Sequence, residues 1–444
     1  MAHLGRDPHP LTYRREIVGP LMRAIAGGES CALIGVGSVG KSNLLRFLMR
    51  EDVRRHYLGE EWDRYLFLHL DAYALVEFTP WAFYELLLHR LVQTVEALGL
   101  DQEATTYFAD LYQQVITSER ELLAQRYVER AVSTLRGRYG YRLVFLLDEF
   151  DSVFVQVDSR LFAGLRALRD DHKYALVYVA ASRDDLSRIR PLDGPSEAFY
   201  ELLSLNSFGL GPYSQADARW MINRLAARRQ AHVPANQAGR LIEATGGHPG
   251  LLRAATWAVL DGKVNPLADD LRVILLKTAG VREECRKIWE GLKEDEQRAL
   301  AYVVEDVPFP ADLQPALALL ERKKVLCKRK PFCRLFADYV AQQGITQELY
   351  VDRDLHQVIL GRRVITDLTE KEWALLCALD DRRGKVCDRN YLIRRVYPDD
   401  DPGAVSDEAL QSLVARLRRK LSPSGKRQPI VTVRGSGYKL VSLR

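Results

Sequence analysis

Eight residues, Gly35-Val-Gly-Ser-Val-Gly40-Lys41-Ser42, constrain this chain more than any other feature. They fit the pattern G-x-x-x-x-G-K-[ST]. They also stand where the mechanism of that pattern needs them, between a short apolar run (Cys31–Gly35) and a helical stretch (Asn43–Met49). Glycines in such a loop let backbone N–H groups turn inward and cradle phosphate oxygens, and the helix N-terminus adds partial positive charge. Lys41 then reaches the β- and γ-phosphates, and Ser42 holds Mg²⁺. Gly35, Gly37, Ser38, Val39, Gly40, Lys41, Ser42 and Asn43 are therefore the expected contacts of a bound nucleotide.

The surrounding pattern supplies the fold such a loop requires. Runs at Cys31–Gly35, Tyr65–Leu70, Leu143–Leu147, Leu176–Ala181 and Leu202–Leu205 are apolar at nearly every position rather than at alternate ones. That suits strands covered on both faces, hence a parallel sheet. Helical patterns such as Trp81–Leu98 and Thr117–Leu135 lie between them. The expectation is a doubly wound α/β P-loop NTPase core. The third run ends in Asp148-Glu149-Phe-Asp151. An acid at the carboxyl end of a buried strand reaches Mg²⁺ beside a phosphate loop, usually through water. Asp148 takes that role, and Glu149 polarises the attacking water. The strand around Leu176–Ala181 ends in Ser182-Arg183; Arg183 is either a cation that senses the γ-phosphate or a plain surface arginine.

From about Ser214 the β pattern stops. Helical stretches at Asp217–Arg229 and Asn236–Ala244 lead to Gly246-Gly-His-Pro249 and a further helix, Leu251–Leu260. Residues 283–343 read as helix, helix, turn, helix and a short basic hairpin (Lys323–Arg334), and no repeat of 20–50 residues is present. The phosphate loop, Asp148-Glu149, Ala181-Ser-Arg183 and Thr245-Gly-Gly-His-Pro249-Gly-Leu-Leu-Arg253 together resemble the STAND class of signal-transducing NTPases. Asp148-Glu-Phe-Asp151 is also similar to the Orc/Cdc6-like AAA+ ATPases. The resemblance covers about residues 10–340. It implies that Arg183 senses the γ-phosphate, that Pro249 packs near the adenine in a helical lid, and that 283–343 is a winged helix. It further implies that ATP versus ADP sets an on or off state. Two departures stand out: no sensing repeat array is present, and no arginine is positioned to act on a neighbouring subunit, so hydrolysis is expected to be slow or dependent on assembly. The expected division is 1–213 NTPase core, 214–280 lid, 281–343 winged helix and 344–444 a second winged-helix domain.

Charge locates that last module. Lys and Arg number 64 against 59 acids, a net of only +5. From Ser406 onward there are nine Lys and Arg against Asp407 and Glu408, a local +7 that leaves −2 for the 405 residues before it. A nucleic-acid footprint, if present, lies there. Residues 406–421 read as a helix with Ser406 as N-cap and Leu410, Leu413 or Val414, Leu417 and Leu421 as the core stripe. Gln411 and Arg418 lie on one exposed side, Ser412, Arg416 and Arg419 on the other. A basic hairpin, Pro429–Val441, follows. On charge alone, a solvated basic helix fits equally well.

The spelling decides between them. Leu368-Thr-Glu-Lys-Glu-Trp-Ala-Leu-Leu376, Ser406-Asp407 with Arg416-Leu-Arg-Arg-Lys-Leu421, and Ile430-Val-Thr-Val-Arg434-Gly-Ser-Gly-Tyr438 closely resemble the OmpR/PhoB-type effector domain over essentially all of 345–444. The resemblance implies binding of double-stranded DNA, with the helix from Ser406 in the major groove, Arg434 in the minor groove, and Arg416 and Arg418 as DNA contacts. Glu408 stands where an arginine is frequent, and Leu413 and Ala415 where polar residues are. Pro398-Asp-Asp-Asp-Pro402 occupies the place of the family's RNA polymerase contact, and a plain solvated loop fits it as well.

The start of the chain has no apolar signal region, and no run approaches 18 apolar residues, so a cytoplasmic protein without a membrane partner is expected. Six scattered cysteines without a CxxC pair read as reduced, buried thiols. The sequence therefore points to an ATP-dependent, Mg²⁺-requiring switch that binds DNA, a transcription regulator whose self-assembly is gated by nucleotide. The alternative is a STAND-type ATPase component of a defence or mobile-element system whose winged helix docks an effector protein. A motor-like DNA-processing ATPase is a third option.

Overall fold

Nearly every residue of β3 (Arg142–Asp148) and β4 (Leu176–Ser182) is buried, because helices cover both sides of the sheet to which they belong. In the computed structural model, which describes residues 8–343, 349–360, 363–398, 405–422 and 428–441, these two strands lie at the centre of a five-stranded sheet. β1 (Cys31–Ile34), β2 (Tyr65–Asp71) and β5 (Ser207–Gly209) complete it in the order β2-β3-β4-β1-β5. All four pairings are parallel. The register sets Asp71 beside Asp148 and Ile34 beside Ser182, so the strands that bear site residues end at one edge. On one face the helices Pro80–Leu98, Gln102–Ser118, Glu121–Gly137, Arg160–Asp171 and Gly194–Ser204 supply the main core. Phe150, Phe154, Phe162 and Phe199 form its aromatic centre, with ring centroids 4.8–6.2 Å apart. Burying each such ring contributes roughly 1.5–3 kcal/mol.

Two local readings of the sequence are corrected. Leu202–Leu205 is not a strand: Asp193 and Ser196 form a capping box that starts the helix Gly194–Ser204, and Leu202 and Leu203 are its last turn. Leu205, just past the end, is 88% exposed, and the strand comes at Ser207–Gly209. Thr117–Leu135 is not one helix either. Glu119 turns left-handed (φ 51°), ending one helix at Ser118 before the next begins at Glu121.

The chain divides into two compact units. One comprises the chain to Leu292 with Leu320–Lys328 and Phe332–Phe336; the other comprises Lys293–Leu319, Arg329–Pro331 and the chain from Ala337. The first unit continues past the sheet with helices Gln215–Ala227, Ala235–Thr245, Pro249–Leu260, Leu271–Lys277 and Ala279–Glu290.

In the second unit, strands Leu349–Asp352, Gln357–Leu360 and Arg363–Ile365 form an antiparallel sheet. Helices Glu370–Asp380, Arg389–Val396 and Asp407–Leu421 follow, then the hairpin Ile430–Val433/Gly437–Leu440. Each helix starts on a side-chain cap the sequence provides: Thr369 with Glu372 as a capping box, then Asp388 and Ser406. Leu410, Leu413, Val414, Leu417 and Leu421 all enter the core beside Leu375, Leu379, Leu392 and Ile393.

All six cysteines are free thiols; Cys31, Cys285, Cys333 and Cys387 are buried, whereas Cys377 is half-buried and Cys327 exposed. Among the described residues no helix is long and apolar enough to cross a membrane.

Candidate nucleotide site and nucleic-acid interface

The phosphate loop leaves β1 and closes into the helix Lys41–Leu48. Its shape needs glycine at two points. Gly40 sits at φ 99°, and a Cβ on Gly35 would stand 2.8 Å from Val39 Cγ1. Lys41 is buried, and its Nζ donates to the Gly35 carbonyl at 2.8 Å. Burial pulls its amine below the ordinary value, while Glu149 and Asp151 work the other way.

The acids gather opposite. Ser42 Oγ donates to Asp148 Oδ1 at 3.1 Å, the Glu149 amide donates to the same oxygen, and His69 Nε2 pairs with Oδ2 at 3.1 Å. Burial works to raise Asp148, but the hydrogen bonds from His69 and Ser42 outweigh it and hold the carboxyl below its usual range. A hydroxyl beside an ionised carboxylate is a hard-oxygen donor set of the kind Mg²⁺ takes. Glu149, left-handed at φ 49°, meets Arg183 Nη2 at 3.1 Å. The Arg183 amide donates to Asp151 Oδ1 at 2.8 Å. Lys41, Ser42, Asp148, Glu149 and Arg183, read from three separate motifs, thus share one site because β1, β3 and β4 end side by side. Pro249 begins the helix Pro249–Leu260, and its neighbour Gly250 packs so closely that a Cβ there would stand 2.7 Å from Ser38 Cβ.

Two participants escape sequence reasoning. His69 is the one imidazole in the otherwise apolar run Tyr65–Leu70, and that break in the run is its signal. Arg14 gave none. Left-handed at φ 46° and buried, it donates Nη2 to the Val39 carbonyl at 2.7 Å and Nη1 to Gly211 at 2.8 Å, with the Tyr213 ring 4.4 Å away. It braces the phosphate loop from behind.

On the helix Asp407–Leu421, Gln411, Ser412, Arg416 and Arg419 are exposed, as is Arg434 in the hairpin turn. Arg418 is half-buried and lies along the hairpin: its Nε donates to the Ile430 carbonyl at 3.0 Å and its Nη2 to Thr432 Oγ1 at 2.8 Å. It ties helix to hairpin. Lys420 is held by the buried Glu372 at 2.8 Å. Arg363 donates to the carbonyls of Lys420 and Leu421 and so caps the helix end. From Asp399 onward, the acidic segment to Pro402 lies outside the described residues.

Sheet order, phosphate loop and acid-ended β3 define the first unit as a P-loop NTPase fold. The C-terminal part is an OmpR/PhoB-type domain: residues 362–440 match the family described as "Transcriptional regulatory protein, C terminal". The response regulator ArlR of Staphylococcus saprophyticus is 31% identical over 145 residues, 32% of this chain and 60% of that protein. The response regulator protein PmrA of Pseudomonas aeruginosa is 41% identical over 96 residues, 22% and 40% of the two chains. The chain thus spans 40–60% of the length of these relatives. Among solved structures, the Walker-type ATPase PABY2304 of Pyrococcus abyssi aligns over 75% of this chain and 99% of its own, at 18% identity and a TM-score of 0.45.

Proposed function

We propose that this chain is an ATP-dependent switch that binds double-stranded DNA through its C-terminal domain and acts as a transcription regulator. The observation that carries the reading is the meeting of Lys41, Ser42, Asp148, Glu149 and Arg183 at one sheet edge, in a chain that also bears an OmpR/PhoB-type domain. In this reading ATP rests on the phosphate loop, Mg²⁺ is held by Ser42 and Asp148, and Glu149 orients water. Arg183, paired with Glu149 when no phosphate draws it away, reports the terminal phosphate. The four-part division 1–213, 214–280, 281–343 and 344–444 describes the working parts. Nucleotide promotes self-assembly, which presents several C-terminal domains to adjacent half-sites, so that modest single affinities add. Gln411, Ser412, Arg416, Arg419 and Arg434 are the DNA-facing residues, and Arg418 holds the hairpin at its angle to the helix.

A mobility-shift titration on duplex DNA with ATP, ADP and Lys41→Ala tests the coupling, with oligomer size measured in parallel. Affinity that rises with ATP and is lost in Lys41→Ala is expected; affinity indifferent to both refutes the switch. Docking of a protein effector is the second reading, favoured by Leu413 being buried and Arg418 being engaged by the hairpin. It predicts no salt-dependent DNA binding at all.

A further inference from the structure

Glu284 is a carboxylate where a carboxylate is costly. It lies in the helix Ala279–Glu290, 5% exposed, and among the described residues its buried Oε2 has no hydrogen-bond partner. Its other oxygen is met by two cations, Lys287 Nζ at 3.2 Å and Arg253 Nη2 at 3.5 Å. The orphan oxygen lies on the seam between the helix Pro249–Leu260 and the tip of the phosphate loop. A Cβ built on Gly250 would stand 2.3 Å from Oε2 and 2.7 Å from Ser38 Cβ, and one on Gly37 would stand 3.6 Å from the Lys287 carbonyl. One fixed negative charge therefore lies beside Ser38, with two positive ones paired to it.

Packing does not account for this choice of residue. A buried acceptor without a donor is destabilising, and an apolar side chain would fill the same seam without that penalty. The mobility of the partners is unequal. Arg253 and Lys287 are about half exposed, at 53% and 47% of their side chains, whereas Glu284 is held at 6%. The cations are free to turn toward another anion, and the acid is not free to leave. A phosphate group is that other anion. It repels the carboxylate, and it accepts from a guanidinium fork and an ammonium at least as well.

We propose that Glu284 is a charge gate on the nucleotide site. It holds Arg253 and Lys287 in reserve and sets a negative charge against the phosphate loop, and a nucleoside triphosphate takes over both cations. The inference rests on the phosphate loop being the nucleotide site, and it adds these three side chains to Arg183 in the discrimination between triphosphate and diphosphate. The added charge of a terminal phosphate competes for the cations, while a diphosphate leaves them with Glu284.

Titration calorimetry of the full chain with Mg²⁺, using ADP and the non-hydrolysable imido analogue of ATP, tests this without turnover. Glu284→Gln is expected to tighten the triphosphate analogue about tenfold, an ordinary coupling between sites, and ADP by much less. The double variant Arg253→Ala/Lys287→Ala is expected to weaken the analogue about tenfold with ADP nearly unchanged. An analogue-to-ADP ratio equal to wild type in both variants overturns the gate. If Lys41→Ala still abolishes binding in that case, the nucleotide reading survives; no binding by the wild-type chain overturns both. Should Glu284→Gln not fold, the exposed variant Arg253→Ala decides by the same ratio.

Discussion

Lys323 is among the largest fully buried side chains of the protein, 2% exposed, with its Nζ 2.9 Å from Asp184 Oδ1. Beside it, Arg322 Nη1 meets Asp185 Oδ2 at 2.7 Å. These pairs fasten the segment Leu320–Lys328 to the two residues that follow Arg183. Replacing Lys323 by Met keeps most of the volume and removes the charge. Breaking a buried pair by deleting one partner costs about 3–5 kcal/mol, because the other charge stays desolvated. Asp184 retains Arg188 at 3.6 Å, which places the expected loss at the low end, about 3 kcal/mol. For a unit of this size that lowers the melting temperature by about 6 °C. Calorimetric melting of wild type, Lys323→Met, Asp184→Asn and the double variant checks the figure. The double variant is expected to lose less than the two singles added together, since neither Lys323 nor Asp184 then stays charged without the other. A single variant that melts with wild type, or a double variant as unstable as the two singles added together, refutes the reasoning.

Acid should lower stability through His248, the N-cap of the helix Pro249–Leu260. Burial, with Arg14 nearby, holds His248 down to about 3, so the unfolded chain, titrating near 6.5, binds a proton that the native chain refuses in the window between. Stability therefore falls as pH drops below about 6.5, by about 2 kcal/mol from pH 7 to pH 5. His248→Asn keeps an acceptor for the Leu251 amide and should lose less over that interval in urea unfolding; equal losses would argue against the assignment. Arg434→Ala should weaken duplex binding and reduce the log–log salt slope by about 1, whereas an unchanged slope removes Arg434 from the phosphate contacts. Arg418→Ala should lower affinity and also cost about 1–2 kcal/mol in melting, through its bonds to Ile430 and Thr432.

The parallel sheet was legible because a strand buried on both faces must be apolar throughout, and four of the five runs are strands at those positions. Leu202–Leu205 misled for the same reason. The last turn of a helix that packs on the core has the same composition, and only the Asp193–Ser196 cap told them apart. The five central site residues were readable because each is bound to a motif with its own mechanism. Arg14 was not, since its role comes from a left-handed backbone and from Gly211, nearly two hundred residues away. Arg418 shows the same limit. Helical spacing gave its side of the helix, but only the hairpin determines that it points to Ile430 rather than to solvent.

The strand order has a consequence for the chain during synthesis. Among the described residues β1 pairs only with β4 and β5, so Cys31–Ile34, buried at all four positions, has neither neighbour until Leu176 has left the ribosome. For more than 140 residues of elongation an apolar strand waits with both edges open, a template for pairing with other chains. The phosphate loop shares that delay, because Asp148 and Arg183 also come from later strands. A nucleotide that binds only the finished site stabilises only chains that have passed this point. The yield of folded protein should thus depend on nucleotide supply late in synthesis rather than early.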